Sequence, residues 1–102
     1  MRKLIRDNIF KATDGVAELQ PHQKLEIIAD KGELMSLLKD KVIEELEEFY
    51  ENYDIGEMGD LLEVITGIID LLELDHEEIK KAMMGKRAER GQFKKGVVLV
   101  EV

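Results

Sequence analysis

The stretch from Lys41 to Asp70, KVIEELEEFYENYDIGEMGDLLEVITGIID, limits the fold more than any other part of the chain. It carries two helical patterns separated only by a break at Asp54–Gly56. A connection that short between helices makes them antiparallel neighbours. Before the break, Leu34, Leu38, Val42, Leu46, Phe49 and Tyr53 recur at steps of three and four. The spacing predicts a helix from about Gly32 to Tyr53 with one apolar stripe. After the break, a second helix is expected from about Glu57 to Leu74. Its apolar residues, Leu61, Leu62, Val64, Ile65, Ile68, Ile69, Leu71 and Leu72, spread beyond one stripe. Such a helix is covered on most sides. A chain of 102 residues with 44% apolar content forms a small core. A partner subunit is therefore expected to pack on this helix, making the protein a homodimer or a higher homo-oligomer.

The same stretch concentrates carboxylates. At 100° per residue Glu45 projects beside the apolar stripe, Glu48 and Lys41 lie at its edge, and Glu44 and Glu47 point away. A solvated helix face accounts for Glu44 and Glu47. It does not account for Glu45, because a carboxylate next to an apolar seam is costly without a partner. Glu57, Asp60 and Glu63 open the second helix. The positive helix N-terminus favours an acid there, which explains one of the three better than all of them. Gly59, beside Asp60, weakens the helix and leaves room for close approach of a backbone or a ligand. Antiparallel packing brings the two acidic groups toward each other. Hard cations take several carboxylate oxygens at one point.

The rest of the chain narrows the classes. A net charge of −8 argues against a nucleic-acid polymer as partner. With no cysteine there is no disulfide framework and no thiolate zinc site. The opening MRKLIRDNIF has no apolar signal core. Leu61 to Leu74 is interrupted by Glu63, Thr66, Asp70 and Glu73, so no membrane span is expected and the predicted location is cytoplasmic. Residues 1–30 form an N-terminal arm, with a loop at Lys11–Pro21 around Gly15 and a candidate strand at 24–29. Asp75 and Glu78 form a capping box for a third helix, His76 to Arg90, which Gly91 ends. His76 is a surface residue near that cap. Residues 96–102 read as a C-terminal strand, with 97–101 placed to pair with 24–29. The expected fold is a single, mainly α domain over 1–102: an antiparallel helical bundle completed by dimerisation, with that small β pairing. Lys86, Arg87 and Arg90 sit where a helix C-terminus stabilises cations; they also suit a phosphate clamp.

Two acidic pairs, Glu45-x-x-Glu48 and Glu57-x-x-Asp60, resemble the paired motif of the MazG-like, all-α NTP pyrophosphohydrolase superfamily. LIRDNI, KVIEELEEF, EMGDLLEVI and KRAERGQFKKGVVL look like successive blocks of its phosphoribosyl-ATP pyrophosphohydrolase-like branch. The chain departs from that branch at Asn8-Ile9-Phe10, where a proline-containing segment is usual, and at Gly91-Gln92, where two glycines are common. The resemblance implies a helical bundle completed by dimerisation. It implies Mg²⁺, with Mn²⁺ as the alternative ion, on Glu45, Glu48, Glu57 and Asp60. These are the catalytic and metal residues it points to, with Glu44 as an additional acid. It implies hydrolysis of a nucleoside triphosphate or related nucleotide between the α and β phosphates, giving a monophosphate and pyrophosphate, as in nucleotide house-cleaning. Lys86, Arg87, Arg90 and Arg6 would then hold substrate phosphates. Two other readings stand beside this one: a non-catalytic nucleotide-binding or regulatory relative, and a structural helical dimerisation module.

Overall fold

The computed structural model describes residues 2–102, and they are mainly helical. A short 3₁₀ turn at Lys11–Thr13 precedes three α-helices: α1 (Lys31–Asn52), α2 (Ile55–Leu71) and α3 (His76–Arg90). Each boundary has a local cause. The Asp30 carboxylate accepts from the Glu33 amide at 2.8 Å and caps α1. Tyr53 ends α1 in the left-handed region, with φ 55°, and donates its amide to the Phe49 carbonyl. Asp54 then caps α2 through the Gly56 amide at 2.6 Å. Only Tyr53 and Asp54 separate the helices, so α1 and α2 fold back on each other as an antiparallel pair.

The seam between them runs through Leu38 and Leu61, the two apolar residues that are buried among the described residues, each 8% exposed. A Cβ added to Gly67 would lie 3.6 Å from Leu38 Cδ2, ordinary packing distance. The third buried residue among those described is Glu45, 7% exposed. The seam thus follows Leu38 and Glu45, not the whole predicted stripe, since Leu46 is 41% exposed and Tyr53 is 68% exposed. The cause is geometric. α1 is apolar over a broad arc, and a single neighbouring helix covers only one edge of it.

α2 ends at Leu71, three residues before the expected Leu74. Glu73 adopts φ 55°, its amide donates to the Asp70 carbonyl, and the Leu74 amide donates to the Ile69 carbonyl. This paired pattern closes a helix through a left-handed residue. α3 spans the expected residues. Asp75 accepts from the Glu77 and Glu78 amides, but Glu78 faces Lys81 at 3.6 Å, so only one half of the expected capping box is made. Gly91, φ 82°, stops the helix.

The expected β pairing does not form. Among the described residues neither 24–29 nor 97–101 is a strand, and the one β-bridge joins Phe10 to Ala17. Val97–Val100 are 71–89% exposed, so the apolar run that predicted a strand finds no partner strand within the chain. The Phe10–Ala17 bridge belongs to a compact arm loop, closed by Lys11 to Ala17 and Val16 to Ile9 hydrogen bonds. Glycine is required at position 15, where a Cβ would fall 2.1 Å from the Ile9 carbonyl atoms.

The single chain leaves much apolar surface open. Its accessible area is 9087 Å², against about 5,900 Å² for a compact protein of this mass. Its radius of gyration is 17.8 Å, against about 13 Å for a compact domain of this length. α2, predicted to be covered on most sides only with the help of a partner subunit, exposes Leu62 at 55% and Ile65 at 37% in the single chain. α3 does not pack along α1 or α2, and Met83 and Met84 on it are exposed.

Candidate metal centre

The hairpin brings the acidic residues of both helices together. Carboxylate oxygens of Glu45, Glu57 and Asp60 lie within 4.8 Å of one another, and so do those of Glu44, Glu45 and Glu48. Glu45 is common to both groups. The four expected ligands are therefore contiguous, two from α1 and two from α2, with Glu44 on the flank. Glu63 is exposed and belongs to neither group.

Burial separates this cluster from a solvated acidic face. Glu45 Oε2 and Glu57 Oε2 are both buried without a hydrogen-bond partner, one from each helix. Leaving such an atom unsatisfied costs roughly 1–3 kcal/mol, more when it is charged. A hard cation would satisfy both. The donor set is all carboxylate oxygen, as Mg²⁺ prefers. His76 stands apart, with Nε2 2.8 Å from Asp70 Oδ1. An octahedron with bonds of about 2.1 Å places opposite oxygens about 4.2 Å apart. Oxygens grouped within 4.8 Å of one another are thus on the scale of one such coordination shell.

The electrostatics agree. Glu57 has its pKa raised, first by desolvation and then by the charges of Glu48, Asp60 and Glu45. Each of these causes opposes placing a further negative charge there. Glu44 is shifted the other way, chiefly by its hydrogen bond to Lys3, with Lys41 adding to it.

Helical projection turned Glu44 away from the seam. In the structure it is half-buried, with Lys3 Nζ at 2.9 Å and Lys41 Nζ at 3.2 Å. The reason is the N-terminal arm, which lies over this edge of α1. Lys41 also reaches Glu45 Oε1 at 3.4 Å. Arg6 crosses to α2, where its Nη2 donates to Asp60 Oδ1 at 2.8 Å. Lys3 was not singled out by sequence reasoning. The available signal was the spacing of Arg2, Lys3 and Arg6 in an otherwise acidic chain.

The structure does not bring Lys86, Arg87 and Arg90 to this cluster within one chain. They are exposed on α3, and none forms an ion pair among the described residues. A Cβ on Gly59 would meet nothing within 4 Å, so the close approach expected there is not made within one chain either. No helix is long and apolar enough to cross a membrane among the described residues.

Comparison with family models gives no match to this chain. No curated protein and no solved structure matches it either.

Proposed function

We propose that the chain is a Mg²⁺-dependent nucleotide pyrophosphohydrolase of the MazG-like, all-α type, acting as a homodimer or larger homo-oligomer. The observation that carries this reading is Glu45: a carboxylate buried in the helix seam, with one oxygen unpartnered, at the meeting point of four other acids. A dimerisation module whose acids serve only solubility has no use for a buried, unsatisfied carboxylate.

Glu45, Glu48, Glu57 and Asp60 would hold the ion, with Glu44 at its edge; Mn²⁺ fits the same donors. The ion supplies Lewis-acid charge to the phosphate oxygens. The chain's own contribution is placement. α1 and α2 each fix two acids on rigid backbone, so the oxygens are set before substrate arrives. Phosphate oxygens beyond the ion need cations. Lys86, Arg87 and Arg90 stand clear of their own acidic cluster, so a second copy is the route by which they would reach a bound polyphosphate. The guanidinium forks of Arg87 and Arg90 suit outer phosphates, and the Lys86 ammonium adds a point charge. Water attack between the α and β phosphates would then release a monophosphate and pyrophosphate. The open apolar faces of α1 and α2 support the assembly this reading needs.

The test is pyrophosphate release from standard and modified ribo- and deoxyribonucleoside triphosphates in the presence of Mg²⁺. Glu48→Gln and Asp60→Asn should each lower the rate on the order of a hundredfold or more, the scale of losing one group that stabilises transition-state charge. No pyrophosphate from any nucleotide, with both variants binding metal like the parent, refutes the proposal.

A further inference from the structure

Two cations from the N-terminal arm already sit on the acidic cluster. Arg6 donates to Asp60 Oδ1 at 2.8 Å, and Lys3 lies 2.9 Å from Glu44 Oε1. Arg2 ties the start of the arm to Glu33 in the first turn of α1 and to Glu26 at 3.3 Å. Leu4, between the paired cations, lines a small cleft with Leu37 and Lys41 on α1. The arm is thus fastened along the hairpin largely through the carboxylates that form the candidate metal centre.

We propose that the N-terminal arm is a cation-exchange latch: Arg6 and Lys3 occupy Asp60 and Glu44 in the metal-free protein, and a divalent ion entering the centre displaces them and frees the arm. The proposal rests on the metal-centre reading and adds a regulatory step to it.

Relative strengths decide the direction of exchange. The Arg6 and Asp60 side chains are 60% and 45% exposed, and those of Lys3 and Glu44 are 49% and 33% exposed. Exposed pairs of this kind change an equilibrium by about fivefold or less. A divalent ion bound by several carboxylates gains far more, and it repels a cation held on its own ligand. Lys41 differs. It is 16% exposed, it projects from α1 itself, and it contacts Glu44 and Glu45 together. It cannot leave with the arm, so it stays as the fixed counter-charge.

The experiment uses the full chain and needs no nucleotide. Mn²⁺ binding is measured by the loss of the free-ion paramagnetic resonance signal, for the parent, Arg6→Gln and the Lys3→Gln/Arg6→Gln double variant. In parallel, Mg²⁺ is titrated while NMR follows the Arg6 side-chain Nε–H and the amides of residues 2–7. Both substitutions are at exposed positions, and far-UV circular dichroism checks that helix content is kept. Arg6→Gln is expected to bind Mn²⁺ about threefold to fivefold more tightly than the parent, the fold-change of one exposed pair, and the double variant more tightly again. The arm signals should narrow toward flexible-chain values as Mg²⁺ is added. Equal or weaker Mn²⁺ binding by the variants, or arm signals that ignore a bound ion, overturns the latch while leaving the metal centre intact. Failure of the parent and both variants to bind Mn²⁺ overturns the metal centre, and the latch with it.

Discussion

Ile43 lies on the open side of α1 and is 47% exposed. It lines a shallow apolar groove with Met35, Val42 and Ile68. If a second copy covers this groove, Ile43→Asp should break the assembly, and the magnitude can be worked out. Full burial of an isoleucine contributes about 1.5–3 kcal/mol, so the half still open is worth about 1 kcal/mol. Placing a carboxylate in the covered seam without a partner costs at least about 1 kcal/mol more. In a two-fold dimer each substitution counts twice. The loss is then about 4 kcal/mol, roughly a thousandfold in the dissociation constant. The parent has about 3,000 Å² of accessible area beyond that of a compact chain of its mass. Burying half of that on each protomer gives an interface in the range of obligate dimers. Sedimentation velocity from about 0.1 to 100 μM is the assay, run with thermal melts over the same range. The parent should sediment at a multiple of its 11.7 kDa chain mass, with a melting temperature that rises with concentration. Ile43→Asp should sediment as one chain at low micromolar concentration. A monomeric parent with a concentration-independent melt, or an Ile43→Asp variant that assembles like the parent, refutes the reasoning.

Two smaller predictions follow from local features. Glu73 closes α2 at φ 55°, a region that costs an L-residue about 1–2 kcal/mol. Glu73→Gly should therefore raise stability by about 1 kcal/mol in chemical denaturation, and a loss instead would mean that the Glu73 side chain carries a contact of its own. Glu57 has its pKa raised above the ordinary 4.5, so the native state holds that proton more tightly than the unfolded chain. In metal-free protein this makes stability fall as pH rises from about 4.5 through the raised value. Glu44, pushed the opposite way by Lys3, adds stability above the ordinary value and loses it as pH falls through its lowered one. The difference between the parent and Glu57→Gln, melted without metal from pH 4 to 7, isolates the first effect; parallel pH profiles would contradict it.

The parts of the fold that the sequence revealed are those fixed by local chemistry. Asp75 before an acidic first turn and Gly91 after a basic last turn locate α3 without reference to anything else. The short break expected at Asp54–Gly56, found at Tyr53-Asp54, predicts that the chain reverses, so the hairpin and the approach of the two acidic groups could be read from spacing, while the choice of Glu45, Glu48, Glu57 and Asp60 comes from the family resemblance. What failed depends on distant partners. Val97-Val98-Leu99-Val100 has strand propensity, but a strand exists only where another pairs with it, and none does among the described residues. Glu44 was misdirected because projection on one helix ignores the arm that brings Lys3 over it. Leu46 was assigned to the seam and Glu45 beside it, whereas Glu45 is the buried one. Periodicity places the centre of an apolar arc, and the neighbouring helix decides which edge of it is covered.

Glu45 is also where stability and function should separate. Its Oε2 is buried and unpartnered, and three further acids, Glu48, Glu57 and Asp60, share the site. Glu45→Met keeps the volume and removes the charge. Lys41, its one close cation, keeps Glu44 at 3.2 Å and is not orphaned. Replacing a buried ionic group by a well-packed apolar one of similar size is often neutral or stabilising by 1–4 kcal/mol. In metal-free protein the expected gain is about 2 kcal/mol, about 10 °C in melting temperature for a chain of this size. Saturating Mg²⁺ should raise the melting temperature of the parent and leave Glu45→Met unmoved, so that added metal narrows or inverts the difference between them. An apolar core position would lose nothing on becoming Met, and it would show no such dependence on metal. A structural carboxylate satisfied within the hairpin would be destabilised by the change with or without metal. Only a residue held in the seam for an absent ion gives a more stable metal-free variant together with the loss of metal-induced stabilisation. A Glu45→Met chain that melts below the parent in chelator is therefore incompatible with a metal centre built on this residue.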